Sequence, residues 1–97
     1  MSNNNISPLA SVHPEAKLAS GVIVHPFALI EENTEIGEGC IIESHAVIKS
    51  GSRLGKHCHI HSGAVIGGIP QDLKFAGEDS VAIIGDHTMI QIGRAHV

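Results

Sequence analysis

A branched aliphatic residue recurs at every sixth position over the first two thirds of the chain. The phase holds without a break for eleven positions, which are Ile6, Val12, Leu18, Val24, Ile30, Ile36, Ile42, Ile48, Leu54, Ile60 and Ile66. A helix, with ~3.6 residues per turn, would scatter these positions around its axis, and a flat strand would need an aliphatic at every second residue. A chain that turns a corner every six residues would do so. The period therefore predicts a β-helix of hexapeptide repeats.

Two further positions of the repeat agree with this interpretation. The residue two before an aliphatic is small, as at Ala10, Ala16, Val22, Ala28, Thr34, Cys40, Ala46, Ser52, Cys58 and Ala64. Residues two apart on an extended segment face the same side, so a large and a small side chain should alternate inside a narrow prism. The residue three after an aliphatic often tolerates a positive φ, as at Gly21, Asn33, Gly39, His45, Gly51, His57 and Gly63. We expect the corners at these positions.

Three repeats per coil sort the aliphatic residues into three columns. The columns are Ile6, Val24, Ile42 and Ile60; Val12, Ile30, Ile48 and Ile66; and Leu18, Ile36 and Leu54. Each column should line one inner face, with all eleven side chains buried. Outer residues one coil apart should form ladders close enough for modest attraction, such as His25, Glu43 and His61, or His13, Glu31 and Lys49.

The repeat is interrupted after Ile66 and resumes at Ile84, with Ile90 six residues later. The intervening aliphatic positions are occupied by Asp72 and Glu78, and burying two carboxylates in an apolar prism would be very unfavourable. The sequence therefore predicts an external loop within residues 67–83. The adjacent glycines Gly67 and Gly68 fit turn geometry better than a phosphate-binding loop.

The ends of the chain differ from the repeat region. Residues 1–5 are polar and are expected to be frayed, whereas residues 6–91 form the predicted repeat domain. Residues 92–97 read like a vector-encoded tail, because His96 stands where an aliphatic belongs. We expect this tail to be foreign, with Arg94 to Val97 adding no regular coil and the parent protein continuing past Gln91.

Composition and charge exclude several classes of function. The 97 residues carry a net charge of −4 with six Lys and Arg and no basic run, so nucleic acid is not an expected partner. No apolar stretch is long enough for membrane insertion, and the N-terminal residues lack the pattern of a signal peptide, which favours the cytoplasm. Cys40 and Cys58 should stack one coil apart, at ~4.8 Å. Their parallel interior positions in a reducing compartment predict free thiols rather than a disulfide.

Several segments resemble the UDP-N-acetylglucosamine acyltransferases that begin lipid A synthesis. Residues 71–78 read Gln-Asp-Leu-Lys-Phe-Ala-Gly-Glu, similar to that family's loop between coils, and the opening triplets Ile6-Ser7-Pro8, Val12-His13-Pro14 and Val24-His25-Pro26 are similar to its first coils. The resemblance covers Ile6 to Ile90. It implies a left-handed parallel β-helix and a cytoplasmic homotrimer in the full-length protein. It also implies transfer of a 3-hydroxyacyl chain from acyl carrier protein to the 3-hydroxyl of UDP-N-acetylglucosamine, without a cofactor.

The resemblance assigns substrate-binding roles within the loop. Gln71 and Asp72 match positions that hydrogen-bond the acylated sugar nucleotide, and Lys74 matches a basic residue at the substrate groove. The family takes its general base from a His further along the chain, and none of the eight His residues here stands in a matching motif. We therefore expect no catalytic residue in this chain, which should be inactive alone.

Two other functions compete with the acyltransferase interpretation. The run from His57 to His61 suggests zinc, as in hexapeptide-repeat carbonic anhydrases. His57 falls on a corner, so only His59 and His61 share a face, and two ligands do not hold catalytic zinc without another subunit. We therefore expect no metal. A non-catalytic β-helix that only supports assembly is the other alternative, and the polar loop that breaks the repeat favours a ligand site instead.

A modest basic patch for an acidic carrier protein is also conceivable on the outer surface. Its members would be Lys49, Arg53 and Lys56. A solvated surface is the favoured interpretation of these three residues.

Overall fold

The computed structural model of the protein describes residues 4–67 and 82–91. These residues form thirteen short strands separated by turns: β1 (Asn5–Ile6), β2 (Ser11–Val12), β3 (Lys17–Leu18), β4 (Ile23–Val24), β5 (Leu29–Ile30), β6 (Glu35–Ile36), β7 (Ile41–Ile42), β8 (Val47–Ile48), β9 (Ser52–Leu54), β10 (His59–Ile60), β11 (Val65–Ile66), β12 (Ala82–Ile84) and β13 (Met89–Ile90). In these ranges we find no helix of the length and apolarity needed to cross a membrane.

The strands form three parallel sheets that make up the flat sides of a prism. Their orders are β1-β4-β7-β10-β13, β2-β5-β8-β11 and β3-β6-β9-β12. Every third strand is therefore a neighbour, and Ile6 pairs with Val24, Val24 with Ile42 and Ile42 with Ile60. The three predicted columns are confirmed, each on its own sheet.

Burial follows the predicted pattern except in the first coil, β1–β3. Eight of the eleven aliphatic anchors, from Val24 to Ile66, are at most 5% exposed. Val12 and Leu18 are half-buried, and Ile6 is 40% exposed. The prediction that all eleven are buried is thus wrong for the first coil. In the described residues its strands pair on one side only, so one edge of each side chain lacks a neighbouring coil.

The small interior position accepts polar side chains because each finds a carbonyl at the nearby corner. The buried hydroxyls of Thr34 and Ser52 donate to the carbonyls of Glu31, at 3.0 Å, and Lys49, at 2.7 Å. These bonds offset the penalty for burying a hydroxyl. The interior therefore need not be wholly apolar at this position.

The two cysteines occupy the same small position and are buried and free, as predicted. The thiol of Cys40 donates to the carbonyl of Gly55 at 3.0 Å, and that of Cys58 donates to the carbonyl of Gly85 at 3.0 Å. Burial raises the pKa of the Cys40 thiol to about 11, with the adjacent Cys58 contributing. Cys40 is therefore a protonated, unreactive core residue at neutral pH.

The corners lie where the sequence predicts them. All seven predicted residues have a positive φ, between 57° and 90°. Phe27 and His87 occupy the same position of the repeat and also have positive φ, at 67° and 58°, although Phe27 was not predicted as a corner. Their rings stack on the corner residues one coil away, with centroids 5.4 Å apart for Phe27 and His45 and 5.3 Å apart for His87 and His57. Such stacking helps to offset the strain of the left-handed backbone.

The register also shows where the regular winding is interrupted. Residues that stack in successive coils are normally 18 apart, as Ser44 and Ser62 are, but Lys56 and Asp86 in the last coil are 30 apart. The chain between β11 and β12 therefore has twelve residues more than a regular coil requires. The predicted external loop falls mostly on residues 68–81, outside the described residues, and β12 begins at Ala82.

Candidate functional site

The predicted substrate-binding residues Gln71, Asp72 and Lys74 lie outside the described residues, and so do residues 92–97 of the predicted foreign tail. Their roles stay predictions. The described coils nevertheless bring together one group of chemically active side chains, and it includes two of the histidines considered above.

This group, the Glu43–His59–His61 cluster, lies on the outer face of the five-stranded sheet. His59 is in β10 and His61 directly follows it, and the fully buried Ile60 lies between them. Alternation along the strand points both imidazoles outward. Glu43 follows β7, the neighbouring strand, and stacks against His61 in the predicted ladder. The register therefore places a carboxylate from one coil beside two imidazoles from the next.

The contacts within the cluster are short. Nε2 of His59 donates a hydrogen bond to Oε2 of Glu43 at 2.5 Å, and Nδ1 of His61 lies 4.0 Å from Oε1 of Glu43. The two imidazole rings stack with centroids 4.5 Å apart and planes 9° from parallel. All three side chains are about one third exposed, with values of 30% to 34%. The predicted closeness of the ladder residues is confirmed for Glu43 and His61.

Glu43 is also held from the backbone side. Its Oε1 accepts a hydrogen bond from the amide of Ser62 at 3.2 Å and a longer one from the hydroxyl of Ser62 at 3.4 Å. The hydrogen bond from His59 is the main cause that lowers the pKa of the Glu43 carboxyl below its usual value; partial desolvation opposes it and the Ser62 amide adds to it. Glu43 is therefore an ionised carboxylate at neutral pH and presents oxygen ligands to the cluster.

The second predicted ladder has different contacts. Nε2 of His13 lies 3.6 Å from Oε1 of Glu32, whereas Oε1 of Glu31 accepts a hydrogen bond from the amide of Ser50 at 2.9 Å. Glu32 thus lies near His13 at the surface, whereas Glu31 accepts a hydrogen bond from the backbone of the next coil. The ladder periodicity alone did not distinguish Glu31 from Glu32.

Arg53, one of the three residues of the basic patch considered above, is engaged in contacts within the chain. The guanidinium of Arg53 donates to the backbone carbonyl of Asn33 at 2.8 Å and to its side-chain oxygen at 3.0 Å. Its Nε also lies 3.7 Å from a carboxylate oxygen of Glu35. Arg53 therefore braces the positive-φ corner at Asn33, and its charge is partly neutralised.

Comparison with known proteins gives a family match and structural matches, of which one is described here. Residues 33–68 match the family model described as bacterial transferase hexapeptide (six repeats). The chain is also 37% identical in sequence to the crystal structure of UDP-N-acetylglucosamine O-acyltransferase from Moraxella catarrhalis RH4, over 90% of this chain, with a TM-score of 0.82. The predicted resemblance is confirmed. The fold is the predicted left-handed parallel β-helix, and its hand follows from the likeness because the six-residue period does not define it.

The likeness covers only part of the Moraxella catarrhalis enzyme. The chain spans 34% of the length of that enzyme. A search of curated protein sequences found no significant match. The comparisons thus show that this chain has the same β-helical fold as part of that enzyme.

Proposed function

We propose that the chain supplies the first coils of an O-acyltransferase. The enzyme would move a 3-hydroxyacyl group from acyl carrier protein to the 3-hydroxyl of UDP-N-acetylglucosamine, the first step of lipid A synthesis. The observation that carries the proposal is 37% identity, together with a common coil, over 90% of this chain. A common fold alone would not support a specific reaction, because one fold hosts many activities.

The proposed reaction requires groups that this chain has and groups that it lacks. A general base must take the proton of the sugar hydroxyl, and hydrogen-bond donors must stabilise the developing oxyanion. None of the His residues stands in the motif of the family's base, so the chain should be inactive alone. Its contribution is substrate binding, in which Asp72 accepts a hydrogen bond from the acyl 3-hydroxyl and Lys74 pairs with the diphosphate, beside Gln71.

The remaining properties of the proposed enzyme follow from the same resemblance. The complete protein would assemble as a homotrimer and act in the cytoplasm, where acyl carrier protein and the sugar nucleotide would meet it. Neither partner requires the coil to insert into a membrane.

A chimaeric enzyme tests the proposal. Residues 6–91 of this chain would replace the matching segment of the Moraxella catarrhalis acyltransferase, and transfer from 3-hydroxyacyl carrier protein to UDP-N-acetylglucosamine would be followed by mass spectrometry. We expect measurable turnover that Asp72→Ala and Lys74→Ala each lower by about 10-fold or more, since each removes a charge-assisted contact to substrate. The isolated chain should show no turnover.

The control is Lys17→Ala, which removes an exposed lysine from β3 and should leave turnover unchanged. A chimaera that forms trimers and a cooperative fold but transfers no acyl group would contradict the proposal. Turnover that is insensitive to both loop substitutions would contradict the assigned substrate-binding residues.

A further inference from the structure

The Glu43–His59–His61 cluster has the composition of a metal site. One carboxylate oxygen and two imidazole nitrogens all lie within 4.8 Å of one another, the one such group of three in the part of the chain that the structure describes. Two histidines and one carboxylate are a ligand set that zinc and similar divalent transition-metal ions take in proteins. The run of histidines in the sequence offers only His59 and His61 on one face, and the register supplies Glu43 as the third ligand.

We propose that this cluster binds one Zn²⁺, or a similar divalent transition-metal ion, within a single chain. The site does not depend on the proposed acyltransferase function, because none of its three residues belongs to the assigned substrate loop. It also needs no ligand from a second subunit.

Rotations of the three side chains, including the two stacked imidazoles, would bring the ligand atoms to the spacing of a shared ion. Ligand atoms bound to tetrahedral zinc at ~2.0–2.2 Å lie about 3.4 Å from one another. The 4.0 Å between Nδ1 of His61 and Oε1 of Glu43 is too long for a hydrogen bond but close to that spacing. The 2.5 Å between Nε2 of His59 and Oε2 of Glu43 is about 0.9 Å shorter than that spacing, so these two atoms would have to move apart to admit the ion.

His61 gives up nothing when it coordinates an ion. Its Nε2 is buried and has no hydrogen-bond partner among the described residues, and its Nδ1 has only the distant carboxylate oxygen. Binding would therefore break no hydrogen bond of this side chain. Coordination at Nδ1 would give that nitrogen a close partner and would leave the surroundings of Nε2 unchanged.

Glu43 is already held in position by a residue that would not be a ligand. The amide of Ser62 donates to Oε1 of Glu43 at 3.2 Å, which fixes the carboxylate toward the imidazoles. Outer partners of this kind orient metal ligands and strengthen binding. The hydrogen bond between His59 and Glu43 is the one contact that metal coordination would replace.

The ion would link two successive coils. Glu43 follows β7 and the histidines lie in and after β10, neighbours within the five-stranded sheet. Three protein ligands leave the fourth tetrahedral position to water or another small ligand. Because the ion binds the folded register and not the unfolded chain, it should raise the stability of the coil.

A titration of the full chain tests the proposal. The chain would be freed of metal with a chelator and titrated with Zn²⁺ in competition with a chromogenic chelator, and Co²⁺ would be used to record the ligand-field absorption spectrum. We expect one ion per chain and a tetrahedral Co²⁺ spectrum, with binding at least about 100-fold weaker in Glu43→Gln and in His59→Ala. Mg²⁺ should not compete, because imidazole ligands disfavour it.

Two matched variants serve as controls. His25→Ala removes the exposed histidine one coil away in the same ladder, and His96→Ala removes the histidine near the C-terminus; both should bind Zn²⁺ like the parent chain. Circular dichroism would confirm that each variant retains the parent fold. Saturating Zn²⁺ should raise the Tm of the parent chain but not that of Glu43→Gln.

Three results would overturn the proposal. The first is the absence of stoichiometric Zn²⁺ binding by the parent chain. The second is unchanged affinity in a folded Glu43→Gln or His59→Ala variant, which would mean that the cluster is only a hydrogen-bonded surface group. The third is binding that appears only when Zn²⁺ joins two chains, seen as a change in mass by light scattering.

Discussion

At the scale of single residues, neighbouring coils approach each other closely at some of the glycines that follow a column aliphatic. A Cβ added at Gly37 would meet the backbone of Gly55 and would lie 2.9 Å from the amide nitrogen of Lys56. At Gly85, which has the same position in the repeat, the nearest atom among residues 4–67 and 82–91 is the hydroxyl oxygen of Thr88 at 4.0 Å. Neither glycine has a positive φ, so space alone distinguishes them.

This difference predicts opposite effects of one substitution at two equivalent positions. Gly37→Ala should lower the free energy of unfolding by about 2 kcal/mol, because the coils must separate locally to admit the methyl group. Gly85→Ala should be neutral or raise stability by up to about 1 kcal/mol through the lower entropy of the unfolded chain. Urea unfolding followed by circular dichroism measures both, and equal losses at the two sites would contradict the packing described here.

The residue scale also shows what the sequence could and could not predict. Gly21, Asn33 and His57 were predicted as corners because such residues tolerate a positive φ, and the structure agrees. Phe27 was not predicted, because its corner is stabilised by a contact with His45 one coil away rather than by its own conformational preference. The ladder placed Glu43 beside His61, but the hydrogen bond between Glu43 and His59 was not predicted, because it crosses diagonally to a neighbouring coil.

At the scale of elements, strands of two or three residues have no stability of their own. Each strand here is held by backbone hydrogen bonds to the coils beside it and by its column side chain, as in repeat proteins generally. Ile42 of β7 is fully buried in the middle of its sheet, whereas Ile6 of β1, in the same column, is 40% exposed at the sheet edge. The column position alone therefore does not determine how much a residue contributes.

We expect Ile42→Ala to lower the free energy of unfolding by about 3 kcal/mol, through lost apolar contacts and the cavity that remains. Ile6→Ala should lower it by less than about 1 kcal/mol, since much of that side chain contacts solvent already. Thermal and urea unfolding of the two variants give the comparison. If Ile6→Ala were as destabilising as Ile42→Ala, the assignment of Ile6 to a sheet edge would be wrong.

The period predicted the elements well because core packing and corner geometry share the same six-residue phase. It gave the columns of Val24, Ile36 and Ile48 and the resumption of the repeat at Ile84. The period could not predict the hydrogen bonds from Arg53 to Asn33, because they depend on the length and conformation of a side chain that extends to the neighbouring coil. Contacts of that kind follow from the structure only.

At the scale of the whole molecule, the β-helix is a stack in which each coil contacts only the coils beside it. The sequence predicts this stacking but not its hand, which the likeness to the Moraxella catarrhalis enzyme supplies. The proposed substrate-binding residues Gln71, Asp72 and Lys74 lie in the segment between β11 and β12. After this segment the regular pairing resumes, since β12 pairs with β9 and β13 with β10. Both the acyltransferase proposal and the proposed metal site depend on that register.

The most direct test of this register is the detection of scalar couplings across individual hydrogen bonds by NMR on the isotope-labelled chain. The account predicts couplings from the amides of Ile23, Leu29 and Ile41 to the carbonyls of Cys40, Ala46 and Cys58, each bond spanning 2.9 Å to the next coil. If the amides of these three residues were instead coupled to carbonyls four residues away, or to any strand other than the next one in the sheet, the stacked coils would be contradicted.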